Sequence, residues 1–415
     1  MTTSAGIVLA GAAALGAYEA GVLCHVLGAV ARDIGRPRVF DIVSGTSAGA
    51  INAAAIAAFA DDPAVGAARA CDAWSGLRLG QVLRPSALEI VRYALEATDV
   101  TSRLARALKT GRARGGLLDP RPIAKLLEDV LPIERIEAHL TSGVLGAVAI
   151  SATHVASGRS TVFYRSARPL PPWQGEGGIA VPATLTREHV MASAAIPLLF
   201  PPVTVDGDLY CDGGLRQLVP MSPSIHLGAR RLLVINPLAP VGSAQDEQAR
   251  REASSSPLYL AGKALNALFV DRTEADLARL EHLSAVLRAG RHRYGPAFEA
   301  DLNAELARGG HAPLHEVAAL RIEPSADLAR LAAEYAGGGE LARRERGVVA
   351  SVMRCLAEAG ATRSGDLLSY LLFDGGFATE LIALGKADAR RQHEELCALF
   401  DGAVTRPRSS TATAC

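Results

Sequence analysis

Three short stretches carry residues whose types and spacing suit acyl chemistry. Gly45-Thr46-Ser47-Ala48-Gly49 reads Gly-x-Ser-x-Gly. Small residues must flank the serine, because a sharp strand-to-helix turn crowds its neighbours while lifting the Ser47 hydroxyl above the sheet edge. The open N–H groups and positive dipole end of the following helix favour negative charge developing there. A serine hydroxyl is a poor nucleophile at neutral pH and needs a base within hydrogen-bond reach. The chain has 10 histidines, and none announces itself as that base; His154, between two strands, reads as structural or exposed. A carboxylate serves if it is held against the serine and partly desolvated, since burial lifts its pKa toward the useful range. Asp212, in Asp212-Gly213-Gly214 at the end of a hairpin strand, is such a candidate. The third stretch is Gly11-Ala12-Ala13-Ala14-Leu15-Gly16, a small-residue loop whose backbone N–H groups can face an oxyanion or phosphate. A P-loop would need Lys and Ser/Thr where Ala17-Tyr18 stand, and a dinucleotide fingerprint would need a glycine where Ala13 stands. An oxyanion hole beside Ser47 is the preferred reading.

The elements that position these residues follow from the pattern. Val39–Val43 is a β-branched strand, and the Ala/Ile run after Gly49 is a helix. Ala5–Ala10 reads as a buried strand, with a helix from Ala17 to Ala31 carrying Tyr18, Val22, Val26 and Val30 at helical spacing. Residues 144–151 form a buried strand, and Ser160–Arg165 its hairpin partner. Residues 168–184, rich in Pro and Gly, read as a surface loop. A short helix stops at Pro197, Asp206-Gly207 turns a hairpin, and residues 231–236 add a parallel strand. Residues 61–140 are mostly helical; their basic run Arg103, Arg106, Lys109, Arg112 and Arg114 reads as a solvated helix face, with contact to anionic lipid headgroups as the functional alternative. A second Asp-Gly-Gly, Asp374-Gly375-Gly376, follows a helix-like run and reads as a helix connection.

Composition narrows the function classes. The 415 residues are 49% hydrophobic and 21% charged, enough for a large core. With 43 basic and 43 acidic residues there is no reason to expect a nucleic-acid partner. The 6 cysteines are scattered, which argues against a zinc ribbon or a disulfide scaffold and suits a reducing compartment. No Lys or Arg precedes Arg32, and Glu19 interrupts the apolar stretch, so a signal peptide is not expected. Residues 42–60 are uncharged but too rich in Ser, Thr, Asn and Gly for a membrane span. These features point to a cytoplasmic chain with at most peripheral membrane contact.

Taken in order and at these separations, the three stretches resemble the patatin-like phospholipase family. Ala192-Ser193-Ala194-Ala195-Ile196-Pro197 through Phe200-Pro201-Pro202-Val203 is similar to the family's bend before its Asp motif. The resemblance covers roughly residues 5–240. It implies an α/β fold, a three-layer α/β/α hydrolase core with a mainly helical C-terminal region. Ser47 would be the nucleophile and Asp212 its base, with Gly45, Gly49, Gly213 and Gly214 supporting their turns. The amides of Gly11, Ala12, Ala13 and Ala14 would form the oxyanion hole. The implied activity is a serine lipid acyl hydrolase working through an acyl-enzyme on lipid or phospholipid esters, with no metal or organic cofactor. The loop departs from the family's Gly-Gly-Gly-x-Arg/Lys-Gly: Ala12 and Ala13 replace two glycines and Leu15 the basic residue. That departure keeps alive a non-catalytic or partner-activated lipid-binding protein; an acyltransferase is a third reading. The expected organisation is a catalytic domain over 1–241, a polar Ser-rich linker over 242–257, a helical region over 258–402 and a disordered tail over 403–415. The helical region loosely resembles that of long bacterial patatin-like proteins, and the oligomeric state is left open.

Overall fold

Ala5–Leu9 is buried at every position, and a strand with no exposed face belongs in the middle of a parallel sheet covered on both sides. In the computed structural model this strand, β1, has that place. The structure describes residues 4–84, 116, 118–170, 173–175, 178–238, 273–345, 353 and 365–402. The basic run from Arg103 to Arg114, the linker and the tail lie outside the described residues.

The strands that follow are β2 (Ile42–Thr46), β3 (Ala147–His154), β4 (Ser160–Ser166), β5 (Gln174–Gly175), β6 (Gly178–Pro182), β7 (Val203–Val205), β8 (Asp208–Asp212), β9 (Arg231–Ile235) and β10 (Ala318–Ile322). The sheet runs β10-β9-β1-β2-β3-β4-β6-β5, with β8 pairing both β3 and β7. β10, β9, β1, β2 and β3 are parallel neighbours, while β3 is antiparallel to β4 and to β8. The helices are α1 (Gly16–His25), α2 (Ala48–Ala58), α3 (Pro63–Ser75), α4 (Leu79–Val82), α5 (Arg121–Val130), α6 (Arg135–Thr141), α7 (Arg187–Ser193) and α8 (Met221–His226). In the C-terminal part they are α9 (Thr273–Tyr294), α10 (Phe298–Arg308), α11 (Leu328–Gly337), α12 (Glu340–Arg344), α13 (Gly365–Leu371), α14 (Gly375–Arg391) and α15 (His393–Asp401). The result is the mixed, largely parallel sheet with helices that the sequence pattern predicts.

Three expectations need amendment. The first helix begins at Gly16 and runs through a π-helical turn, Val26–Val30, as far as Asp33. The combined run Ala13–Asp33 has the length and apolar character of a membrane span, yet 78% of its most apolar window is buried inside the fold. Residues 168–184 are not loop throughout, because β6 pairs in parallel with the edge of β4. Proline does not prevent this: Pro182 ends β6, where a missing N–H is tolerated. β2 begins at Ile42 instead of Val39 and takes in Gly45 and Thr46; the C-terminal region is mainly helical as expected, with one strand, β10, pairing along the outer edge of β9. Without it, a buried strand would present a bare row of N–H and C=O groups. Further ties bind this region to the sheet domain: the Tyr18 hydroxyl donates to Asp388 at 2.9 Å, and Arg231 donates to the Leu399 carbonyl at 2.9 Å.

Candidate active site

Strand register assembles the site. β2 pairs with β3 so that Thr46 faces Ser151, and β3 pairs with β8 so that Ala152 faces Asp212. Ser47 and Asp212, far apart in the chain, therefore arrive at strand ends separated by one intervening strand. Between β2 and α2 the chain turns so tightly that a Cβ at Gly45 would lie 2.2 Å from the Gly49 carbonyl oxygen, which only glycine permits. Ser47 sits at the bend with φ 54° and ψ −122°. A non-glycine residue there costs on the order of 1–3 kcal/mol, a strain the surrounding structure must hold in place. Ser193 on α7 supplies part of that hold: its hydroxyl accepts the Ser47 N–H at 2.9 Å and donates to the Ser151 carbonyl at 2.6 Å.

The Ser47 hydroxyl donates to Asp212 Oδ2 at 2.6 Å. The other carboxylate oxygen accepts the Gly214 N–H at 2.7 Å, and Thr153 donates to the Asp212 carbonyl at 2.9 Å. Asp212 has no exposed surface. Burial pushes its pKa up from 3.8 to about 7, against the opposing pull of the hydrogen bonds from Ser47 and Gly214. Gly213 is confined as well: a Cβ there would fall 2.1 Å from the Ser151 carbonyl oxygen. His154 lies elsewhere, bonded to Ser157 Oγ at 2.8 Å, and among the described residues no histidine hydrogen-bonds Ser47 or Asp212.

The loop before α1 lies beside the serine, because β1 and β2 are parallel neighbours whose pairing runs to Leu9 opposite Gly45, two residues before Ser47. The expectation for Gly11 is corrected here: its N–H is already used, donating to the Leu218 carbonyl at 2.9 Å. The chain then turns into a single 3-10 turn, Ala13–Leu15. Among the described residues the amides of Ala12, Ala13 and Ala14 carry no hydrogen bond, as expected for the first donors of a helical turn. Ala13 has φ 49°, a left-handed conformation that a glycine would take without strain.

Glu19, Asn52 and Trp74 form a hydrogen-bonded group next to the loop, which the sequence pattern does not single out. Asn52 Nδ2 donates to Glu19 Oε2 and to the Gly16 carbonyl, both at 2.9 Å, and the Trp74 indole donates to Asn52 Oδ1 at 2.9 Å. Glu19 is fully buried, and burial lifts its pKa well above the carboxylate range, opposed by the hydrogen bonds from Asn52 and the Ala10 backbone. These three residues tie α1, α2 and α3 together beneath the loop. Their only sequence signal is a charged residue inside an otherwise apolar helix, Glu19.

Ser47 opens onto a cavity with an empty volume of about 1130 Å³, its open mouth included. Its walls come from α2, α3, α5 and the bend after α7, and include Ile51, Phe59, Trp74, Ile123, Leu127, Met191, Phe200 and Phe373. Ser47, Asn52 and Arg69 are the strongly polar side chains on an otherwise apolar lining. A serine hydroxyl bonded to a buried carboxylate, beside three open amides and an apolar pocket, is an arrangement that can accept an ester with a hydrocarbon chain.

A family model described as patatin-like phospholipase matches residues 7–225. No curated protein matches the chain. Among the solved structures, that of VipD from Legionella pneumophila aligns with 15% identity and a TM-score of 0.27, over 64% of this chain. This chain spans 55% of the length of that one.

Proposed function

The chain belongs to the patatin-like phospholipase family, and from that membership we propose that it is a serine lipid acyl hydrolase of the phospholipase A or lysophospholipase type. One observation carries the reading: the 2.6 Å hydrogen bond from Ser47 Oγ to the buried Asp212, on the wall of an apolar cavity. The acyl chain of the substrate lies in that cavity. As Ser47 Oγ attacks the ester carbonyl, its proton passes to Asp212 Oδ2. The carbonyl oxygen becomes an oxyanion and is met by the N–H groups of Ala12, Ala13 and Ala14. Asp212 then gives the proton to the departing alcohol, leaving an acyl group on Ser47. Water follows the same route in reverse: Asp212 takes its proton as the water oxygen attacks the acyl carbonyl, the bond to Ser47 Oγ breaks as Asp212 returns the proton to that oxygen, and the fatty acid leaves.

A base with a pKa near 7 suits this exchange, being a better proton acceptor than an exposed aspartate and still about half ionised at neutral pH. Reaching lipids in a bilayer calls for transient contact with the membrane surface. A second reading, a lipid-binding protein without catalysis, draws on the left-handed Ala13 and on Leu15 in place of the basic residue. Against it stand the Ser47–Asp212 contact and the three open amides.

The test is hydrolysis of a short p-nitrophenyl ester and of phospholipid vesicles by wild type, Ser47→Ala and Asp212→Ala, each checked for folding. Loss of about 10⁴-fold or more in both variants is expected. Full activity in Ser47→Ala would overturn the reading. An inert wild type whose Ser47 is not labelled by a fluorophosphonate would shift the weight to the lipid-binding protein.

A further inference from the structure

The second Asp-Gly-Gly lies outside the stretch matched by the family model and takes no part in the Ser47 chemistry, yet the residue just before it, Phe373, lines the same cavity. Asp374 is fully buried and caps α14, accepting the N–H groups of Gly376 at 3.0 Å and Phe377 at 3.4 Å. It also accepts the hydroxyl of Tyr335 on α11, and Arg344 Nε stands 3.5 Å from its other oxygen. The next residue locks the backbone onto the cavity: the Gly375 N–H donates to the Leu77 carbonyl at 3.0 Å, and Leu77 is itself part of the lining. Two more ties stand beside this one. Arg78 donates to the Arg344 carbonyl at 3.2 Å, and Glu345 accepts the Leu79 N–H at 3.3 Å. The residue these bonds hold in place is Phe373, half-buried, lining the cavity that opens at Ser47.

The path from the serine to this ring can be followed along one wall. A helix rises about 1.5 Å per residue, so Asn52 lies about 7–8 Å along α2 from Ser47. The Trp74 indole reaches Asn52, and Leu77 closes a turn on Trp74 through a 3.2 Å backbone bond. Phe373 is clamped next to Leu77. Phe373 and Leu77 line the same cavity as Ser47, so the acyl chain of an ester attacked at Ser47 shares that space with the Phe373 ring.

We propose that Phe373 is a specificity-determining residue which sets the length of acyl chain the cavity accepts, and that Asp374 is the positioning residue that seats it. The proposal rests on the reading of Ser47 as the acylated serine. The C-terminal region is then part of the substrate site.

The experiment uses the full chain and p-nitrophenyl esters from butyrate to palmitate. Each buried methylene is worth a factor of about four in kcat/KM. Phe373→Ala is expected to move the preferred chain longer by about two methylenes and to raise the palmitate-to-butyrate ratio about 16-fold. Phe373→Trp is expected to move it the other way. Opposite shifts from a smaller and a larger side chain cannot come from a common folding defect. Profiles that superimpose on wild type in both variants would overturn the proposal. Failure of the hydrolase reading looks different: wild type is inert on every ester and Ser47 goes unlabelled. Calorimetric binding of octanoate through palmitate to Ser47→Ala, with and without Phe373→Ala, then decides. A longer preferred fatty acid in the double variant supports the gauge, and an unchanged preference sinks it.

Discussion

In the proposed mechanism Asp212 links activity and stability through one proton, with opposite signs. Burial lifts its pKa from 3.8 to about 7. As a base it must be ionised, so kcat/KM should rise with pH as a single ionisation centred near 7. About a tenth of the full rate is expected at pH 6 and about nine-tenths at pH 8. Stability runs the other way. The folded chain holds the Asp212 proton more tightly than the unfolded chain, so this group's contribution is complete below about pH 4 and is lost as pH rises toward 7. Over the whole range the loss is about 4 kcal/mol, at 1.36 kcal/mol per pKa unit. Asp212→Asn has nothing to titrate at this position. Its stability relative to wild type should therefore improve by about 3 kcal/mol between pH 5 and pH 8. In a chain of this length that is about 3–4 °C in Tm. The assay is a pH–rate profile of wild type on a p-nitrophenyl ester, alongside thermal melts of wild type and Asp212→Asn at the two pH values. A kcat/KM that is flat from pH 5 to pH 8, or a Tm difference that ignores pH, would refute a desolvated Asp212 as the base.

Three further outcomes are expected. Ala13→Gly relieves a left-handed alanine, which costs about 1–2 kcal/mol, and gives back part of that in unfolded-state entropy; chemical denaturation should show a net gain of about 0.5–1 kcal/mol, and a loss would contradict the loop geometry. Ser193→Ala leaves the buried Ser47 N–H unpaired, at a cost of about 1–3 kcal/mol; kcat should fall more than KM changes, because the elbow and not the cavity is disturbed. Burial pushes the Glu19 carboxyl well above the usual carboxylate range, so Glu19→Gln should melt closer to wild type than Glu19→Ala, which removes the group that Asn52 donates to and should lose stability and kcat together; equal damage from both would contradict that direction.

The sheet was legible in the sequence because its central strands are short apolar runs bounded by small-residue turns. β1 and β9 fall where the apolar runs stand, β2 starts three residues later than the Val39–Val43 run and takes in Gly45 and Thr46, and the Asp206-Gly207 turn joins β7 to β8 as its dipeptide predicts. β6 and β10 were not legible. Gly178-Ile179-Ala180-Val181-Pro182 and Ala318-Ala319-Leu320-Arg321-Ile322 carry weak strand patterns of their own, and each becomes a strand because a neighbouring edge needs covering. Such assignments depend on partners distant in the chain, and local periodicity does not contain them.

The site divides along the same line. Ser47 and Asp212 could be found because each stands in a turn whose glycines are forced by close backbone approach, and that constraint is written in the local sequence. Ser193, Glu19 and Asn52 act through hydrogen bonds to residues that the fold brings together, and a lone polar side chain in a helix does not reveal its partner. Gly11 shows the limit from the other side. The sequence places it in the right loop, but strand β1 ends so that its N–H is spent on Leu218. The open donors begin one residue later, at Ala12. The two alanines that break the family's glycine pattern therefore supply two of the three open amides. Since an oxyanion is held by N–H groups and not by side chains, replacing glycine by alanine costs backbone strain at Ala13 and leaves the donors in place.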